Sequence, residues 1–137
     1  MIDYFALEPL IIARLREKLT DISIRSTWGA PKIHETTDLP PAILLFLEDD
    51  QPGSVVENGA CQKIEQTWLC LVVVNDPGNE AGPLISRVIR ALSGWTPAES
   101  RFAAFKRVRS NFSPDCSANG VYYFPLAFST SFVFNIH

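Results

Sequence analysis

The stretch Gln62–Val74, QKIEQTWLCLVVV, limits what this chain can fold into more than any other. Read as a strand, it points Ile64, Gln66, Trp68, Cys70, Val72 and Val74 to one face. Lys63, Glu65, Thr67, Leu69, Leu71 and Val73 take the other, which is polar in its first half and apolar in its second. Such a strand leaves a half-wet setting and enters one buried on both sides. Its length is a second constraint. About 13 residues at about 3.3 Å each reach roughly 43 Å. A compact chain of 137 residues should have a radius of gyration near ~14 Å, hence a diameter of roughly 37 Å. The strand must therefore coil or project, and a projecting strand needs a partner.

Around that strand there is room for one domain with a sizeable core, residues 1–137, and too little for two. With 47% apolar and 20% charged residues the composition is globular. The formal net charge is −3 and the 12 basic residues are scattered, which argues against a nucleic-acid reader with its basic stripe. Cys61, Cys70 and Cys116 are far apart and odd in number, the usage expected of a chain made in a reducing cytoplasm. Met1–Leu7 has no basic n-region and argues against a secretory leader. No apolar run approaches the ~20 residues of a membrane helix.

Leu7–Leu19 has the periodicity of an amphipathic helix, with Leu7, Leu10, Ile11, Leu15 and Leu19 on one stripe and Pro9 in the first turn. Ile22–Ser26 reads as a short strand and Thr27–Pro41, rich in Pro, as an ordered loop. Ala42–Glu48 reads as a buried strand ended by an acidic turn, Asp49–Gly53. Ser54–Glu57 is then a short strand, and Asn58-Gly59 a hairpin turn into Gln62–Val74. A second helix is expected over Gly82–Ser93, with Gly94 as its C′ residue and Trp95 packed back on the core. Phe105–Ser110 reads as a strand and Ser113–Gly120 as a turn-rich loop. Val121–Ile136 alternates with period two, with Tyr122, Phe124, Leu126, Phe128, Phe132, Phe134 and Ile136 on one face, broken only by Thr130. It matches Gln62–Val74 in length, so the two are expected to pair antiparallel. The order α-β-β-β-β-α-β-β predicts an α+β domain: a largely antiparallel twisted sheet, two helices packed on it, and a projecting hairpin.

Candidate chemistry is sparse. His34 and His137 are the whole imidazole inventory. A Ser-His-Asp or Cys-His site would have to use His34, which has no nucleophile signature near it. Glu48-Asp49-Asp50 could offer oxygens to Mg²⁺ or Ca²⁺, but a solvated turn explains them more simply. No Walker motif, G-x-G-x-x-G or zinc spacing occurs. Arg101, Lys106, Arg107 and Arg109 are the basic cluster. Phosphate binding competes there with two simpler readings, a solvated sheet edge or salt bridges to another subunit. No catalytic residue, metal ligand or cofactor is expected.

Taken together, IIARLREKL (Ile11–Leu19), KIEQTWLCLVVV (Lys63–Val74), AGPLISRVIRALSGWTP (Ala81–Pro97) and YYFPLAFSTSFVF (Tyr122–Phe134) resemble the tail terminators of long-tailed bacteriophages. The chain is similar to the Mu-type group and more distantly to the lambda-type minor tail protein U. The resemblance implies a structural virion protein and not an enzyme. Such a protein caps the head-proximal end of the tail tube as a hexameric ring, ends tube polymerisation, and offers a docking surface to the head-side connector. The implied partners are further copies of the chain, the tube protein and the connector. No membrane is involved, and DNA passes through the ring without specific binding. From the residue pattern, and not from a family motif, the subunit contacts are expected around the hairpin at Val55, Val56, Asn58, Gly59, Lys63 and Glu65, then at Arg107 and Arg109. The rival readings are a head-tail completion or neck protein of the same tail and, from another class, a small α+β enzyme or ligand-binding module.

Overall fold

The computed structural model describes residues 3–28, 40–56, 59–97 and 101–135. Helix α1 (Leu7–Lys18) is followed by strands β1 (Ser23–Ser26), β2 (Ala42–Val56) and β3 (Cys61–Val74). A short π-helical turn, Pro77–Ala81, leads into α2 (Gly82–Leu92), and β4 (Lys106–Val108), β5 (Asp115–Cys116) and β6 (Tyr122–Asn135) complete the chain. The sheet order is β1-β2-β3-β6-β4, with β5 also pairing on β6. The β1–β2 pair is parallel and the others are antiparallel. This is the α+β domain that the periodicities predict.

The pairing of the two long strands is continuous, from Cys61 opposite Asn135 to Val74 opposite Tyr122. Register follows from the side chains: a one-residue slip would move every apolar side chain of both strands to the wrong face. On the helix-bearing face, Ile64, Trp68, Cys70 and Val72 meet Leu126, Phe128 and Phe132, with Ile43 and Leu45 alongside. Leu7, Ile11 and Leu15 of α1 and Leu84, Val88, Ala91 and Leu92 of α2 close this core. Arg14 ties the helices by donating from Nε to the Ala91 carbonyl at 2.9 Å, its guanidinium 5.5 Å from the Trp95 ring centroid. Trp95 itself stacks on Phe105 with ring centroids 5.3 Å apart, so it belongs to the core as expected. Gly94 has φ +76°, the left-handed conformation a C′ residue adopts. Cys70 is sealed within this core, and burial pushes its thiol pKa up to about 12.

The opposite face of the sheet is covered over half its length. Ala42, Leu44, Leu71, Val73 and Tyr123 form one buried cluster there, and Phe46, Leu69 and Ala127 another. Val108, Phe112 and Val121 pack on these clusters, with Phe112 edge-on to Phe46 at 5.8 Å. Every residue of β3 from Trp68 to Val74 is therefore buried, whereas Lys63 is exposed and Glu65 and Thr67 are half-buried. The half-wet to fully buried passage read from the sequence is what the strand does.

The acidic segment differs from expectation. Asp49–Gly53 is not a turn between two strands; it lies inside β2, which runs unbroken to Val56. Asp49, Asp50, Gln51 and Pro52 pair with Thr67, Gln66, Glu65 and Ile64, and irregularities at Leu47/Asp49 and Pro52/Val55 absorb the misfit. Turn-forming residues lost to a long neighbouring strand that offered continuous pairing, and the bulges are how a strand accommodates them. Gly53 eases the close pairing in this place, because a Cβ there would stand 3.0 Å from the Lys63 carbonyl oxygen, a tight contact. The order is accordingly α-β-β-β-α-β-β-β, with one strand fewer before α2. Two smaller corrections concern the stretch after α2. The strand expected over Phe105–Ser110 is confined to Lys106–Val108, and the loop Ser113–Gly120 contains β5.

Candidate functional site

The end of the sheet around the β2–β3 connection is the expected contact surface. Three strands continue there: Pro52–Val56 of β2, the start of β3, and Ser131–Asn135 of β6. Gly59, with φ +84°, bends the chain between the paired residues Val56 and Cys61, as the Asn58-Gly59 signal predicts; Asn58 itself lies outside the described residues. Polar side chains knit this flap. Gln62 Nε2 donates to the Gly53 carbonyl at 2.9 Å, and the Cys61 thiol donates to Asn135 Oδ1 at 3.3 Å.

The flap has two edges. Among the described residues, no strand pairs with β2 beyond Leu45 on the side away from β3. Residues 50–55 along that edge are all exposed. The far edge of β6 is protected in pieces: β5 at Tyr122 and Tyr123, β4 from Ala127 to Ser129, and a bridge from Phe102 to Phe132. Beyond Phe132 nothing described covers it. Val55 and Val133, about half exposed, lie here on opposite faces. Unpaired strand edges and exposed branched apolar residues are features that surfaces covered by a partner commonly share.

The other expected contact residues are distributed as follows. Lys63 is exposed, opposite Val133, and its side chain has no hydrogen-bond or ion-pair partner among the described residues. Glu65 is half-buried and accepts from Ser129 Oγ at 2.9 Å, so it is partly committed within its own subunit. Arg107 is exposed on β4 opposite Phe128, at the other side of the sheet. Arg109 follows the end of β4, where the chain folds back over the sheet. The two arginines border an open depression of about 650 Å³ walled by Ser110–Pro114 and Pro125. Arg109 also borders a smaller one, about 220 Å³, together with Glu48, Asp49, Gln51 and Glu65. The sheet thus separates the hairpin residues from Arg107 and does not gather all eight into one patch.

Sequence reasoning missed a polar column at the base of the flap. Gln66 is fully buried; its Nε2 donates to the Tyr4 carbonyl at 2.9 Å, and its Oε1 accepts from Trp68 Nε1 at 3.1 Å. Burial, and then the Asp50 carboxylate that its hydroxyl bonds, raises the Tyr4 phenol pKa above its usual value. Glu48 Oε1 accepts from Ser110 Oγ at 2.7 Å and from the Asn111 amide at 2.6 Å, which pins the chain after β4 against β2. Tyr4 and Gln66, and likewise Glu48 and Ser110, are 62 residues apart in sequence, and nothing in either local pattern announces them. A polar residue in a run of core positions, Gln66 among Ile64, Trp68 and Cys70, was the one available signal.

Among the described residues, no three His, Cys, Asp or Glu side chains are placed to hold a metal ion. His34 and His137 lie outside the described residues. No helix among them is long and apolar enough to cross a membrane.

No curated protein is similar to the chain in sequence at a significant level. Among solved structures, a chain from the virion of a native gene transfer agent particle is similar in fold. Its TM-score is 0.62 at 12% identity, over 93% of this chain and 95% of that one. The sequence pattern matches that of phage tail terminator proteins over residues 1–136. With the whole of its sheet and both helices inside that match, the chain belongs to the phage tail terminator family, a family of virion structural proteins.

Proposed function

We propose that the protein closes the head-proximal end of a phage tail tube as a hexameric ring, ends tube polymerisation, and presents the surface on which the head-side connector docks. The observation that carries this reading is a flap whose two edges are unpaired among the described residues, in a chain of this family. A head-to-tail interface that closes makes a ring and needs two different surface patches on each subunit, which two edges of one sheet can supply. Contacts between subunits run through Val55, Val56, Asn58, Gly59, Lys63 and Glu65, with Arg107 and Arg109 on the neighbouring side. The role is structural and not catalytic. A net charge of −3 is compatible with DNA passing through such a ring without being held.

Negative-stain microscopy of the purified protein with polymerising tube subunits tests this. Six-fold rings at one end of tubes of limited length are expected. Tubes that grow to the same lengths with and without the protein, and carry no ring, overturn it.

A further inference from the structure

The sheet carries opposite charges on its opposite sides, and in one row. Pairing runs from Asp49 to Thr67, from Thr67 to Ser129, and from Ser129 to Lys106. An acid on the open side of β2 and a base on β4 are therefore level with each other across the sheet. One position further along β4, Arg107 pairs with Phe128, which pairs with Trp68 and so with Leu47. That level adjoins the irregularity that holds Glu48. Lys106 and Arg107 are exposed, and their side chains make no ion pair or hydrogen bond among the described residues. Asp49 is half-buried, and Gln51 Nε2 of its own strand, at 3.2 Å, is its hydrogen-bond partner.

This arrangement has a consequence for assembly. A closed ring is generated by rotation without rise, so the surfaces that meet must stand at equal height along the axis. Asp49 and Lys106 share a row, and because a sheet twists by about 20° from one strand to the next, the shared row brings them near one level without fixing it. Direction agrees as well. β4 runs antiparallel to β6, and β6 and β2 each run antiparallel to β3, so β4 of one copy would meet β2 of the next antiparallel. The plainer account is that edge charges merely keep sheets from aggregating. Charge of either sign on either edge would serve that purpose. Opposite signs in the same row go beyond it.

We propose that the open edge of β2 is covered by the Lys106–Val108 edge of β4 in a second copy of this chain, head to tail, with Asp49 of one subunit facing Lys106 of the next. This rests on the ring reading above and specifies which edges meet. Opposite charges across an interface act chiefly by fixing register and rejecting wrong arrangements, so reversing one of them should act on assembly more than on folding.

The test is a charge swap in the full-length protein, followed by native mass spectrometry and by microscopy on tube ends, with circular-dichroism melting as a check of the fold. Asp49→Lys alone and Lys106→Glu alone are each expected to raise the concentration needed for ring formation at least ~10-fold, as a reversed interfacial charge does. Asp49→Lys with Lys106→Glu in one chain restores the pair at every interface and should recover most of that loss. Rings unaffected by the single changes, or a double variant no better than the singles, overturn the edge assignment and leave the ring reading standing. A wild-type protein that forms no ring, free or on tubes, overturns both.

Discussion

The two ends of the same three strands behave as two different materials. From Trp68 to Val74 every residue of β3 is buried, under helices on one face and under the chain after β4 on the other. From Cys61 to Thr67 burial alternates, and Lys63 is exposed. Backbone pairing is continuous throughout, with Cys61–Val74 matched residue for residue to Tyr122–Asn135. What changes along the strand is what lies above and below it. Hydrogen-bonded pairing therefore carries the sheet outward, while apolar burial decides where the sheet is a core and where it is a surface.

The largest effect expected of breaking this contrast lies at the sealed end. Trp68→Ala empties a side chain with 1% exposure at the centre of the core. A loss of about 3–5 kcal/mol is expected, as for other buried aromatic truncations, measured by urea denaturation. A loss below about 1 kcal/mol would mean that the core is not centred on β3.

Gln66 sits at the boundary between the ends. Gln66→Leu keeps volume but strands the Trp68 indole N–H and the Tyr4 carbonyl. Leaving buried polar groups unpaired costs about 1–3 kcal/mol. The same denaturation assay would show it, and Gln66→Glu, which retains an acceptor for Trp68, separates the hydrogen bond from the shape.

At the open end the expected cost to folding is smallest. Lys63→Glu with Glu65→Lys removes the Ser129–Glu65 hydrogen bond and no other side-chain hydrogen bond or ion pair among the described residues, so stability should fall by about 1 kcal/mol or less. Assembly should weaken nonetheless. An unchanged hexamer by native mass spectrometry would count against contacts through Lys63 and Glu65 and move the interface toward the strand edges themselves.

Much of the fold was legible in local pattern. The strict alternation of Tyr122–Asn135 and the two-faced run Gln62–Val74 predict both strands, their antiparallel pairing and the change in environment along them, because side-chain period and face polarity are properties of the chain itself. Helices α1 and α2 were equally plain from their apolar stripes. Asp49–Gly53 was misread because Asp, Pro and Gly report what a segment prefers alone, and a neighbouring strand that satisfies every other backbone group outweighs that preference. The candidate site was less legible. Val55, Lys63 and the Asn58-Gly59 turn are visible in the sequence, but the bond that partly commits Glu65 to Ser129, and the row joining Asp49 to Lys106, are not.

The sequence by itself therefore determined that this chain would build a sheet on a long strand, wet at one end and dry at the other. Periodicity, charge and length are read along the chain, and they suffice for that. Only the tertiary structure decided that the dry end would be sealed by the chain after β4, that the acidic segment would lengthen β2, and that acid and base would stand level on opposite sides of the sheet. Each of these depends on pairing between residues far apart in sequence, and such pairing is chosen by the competition of whole strands for partners, which no local pattern records.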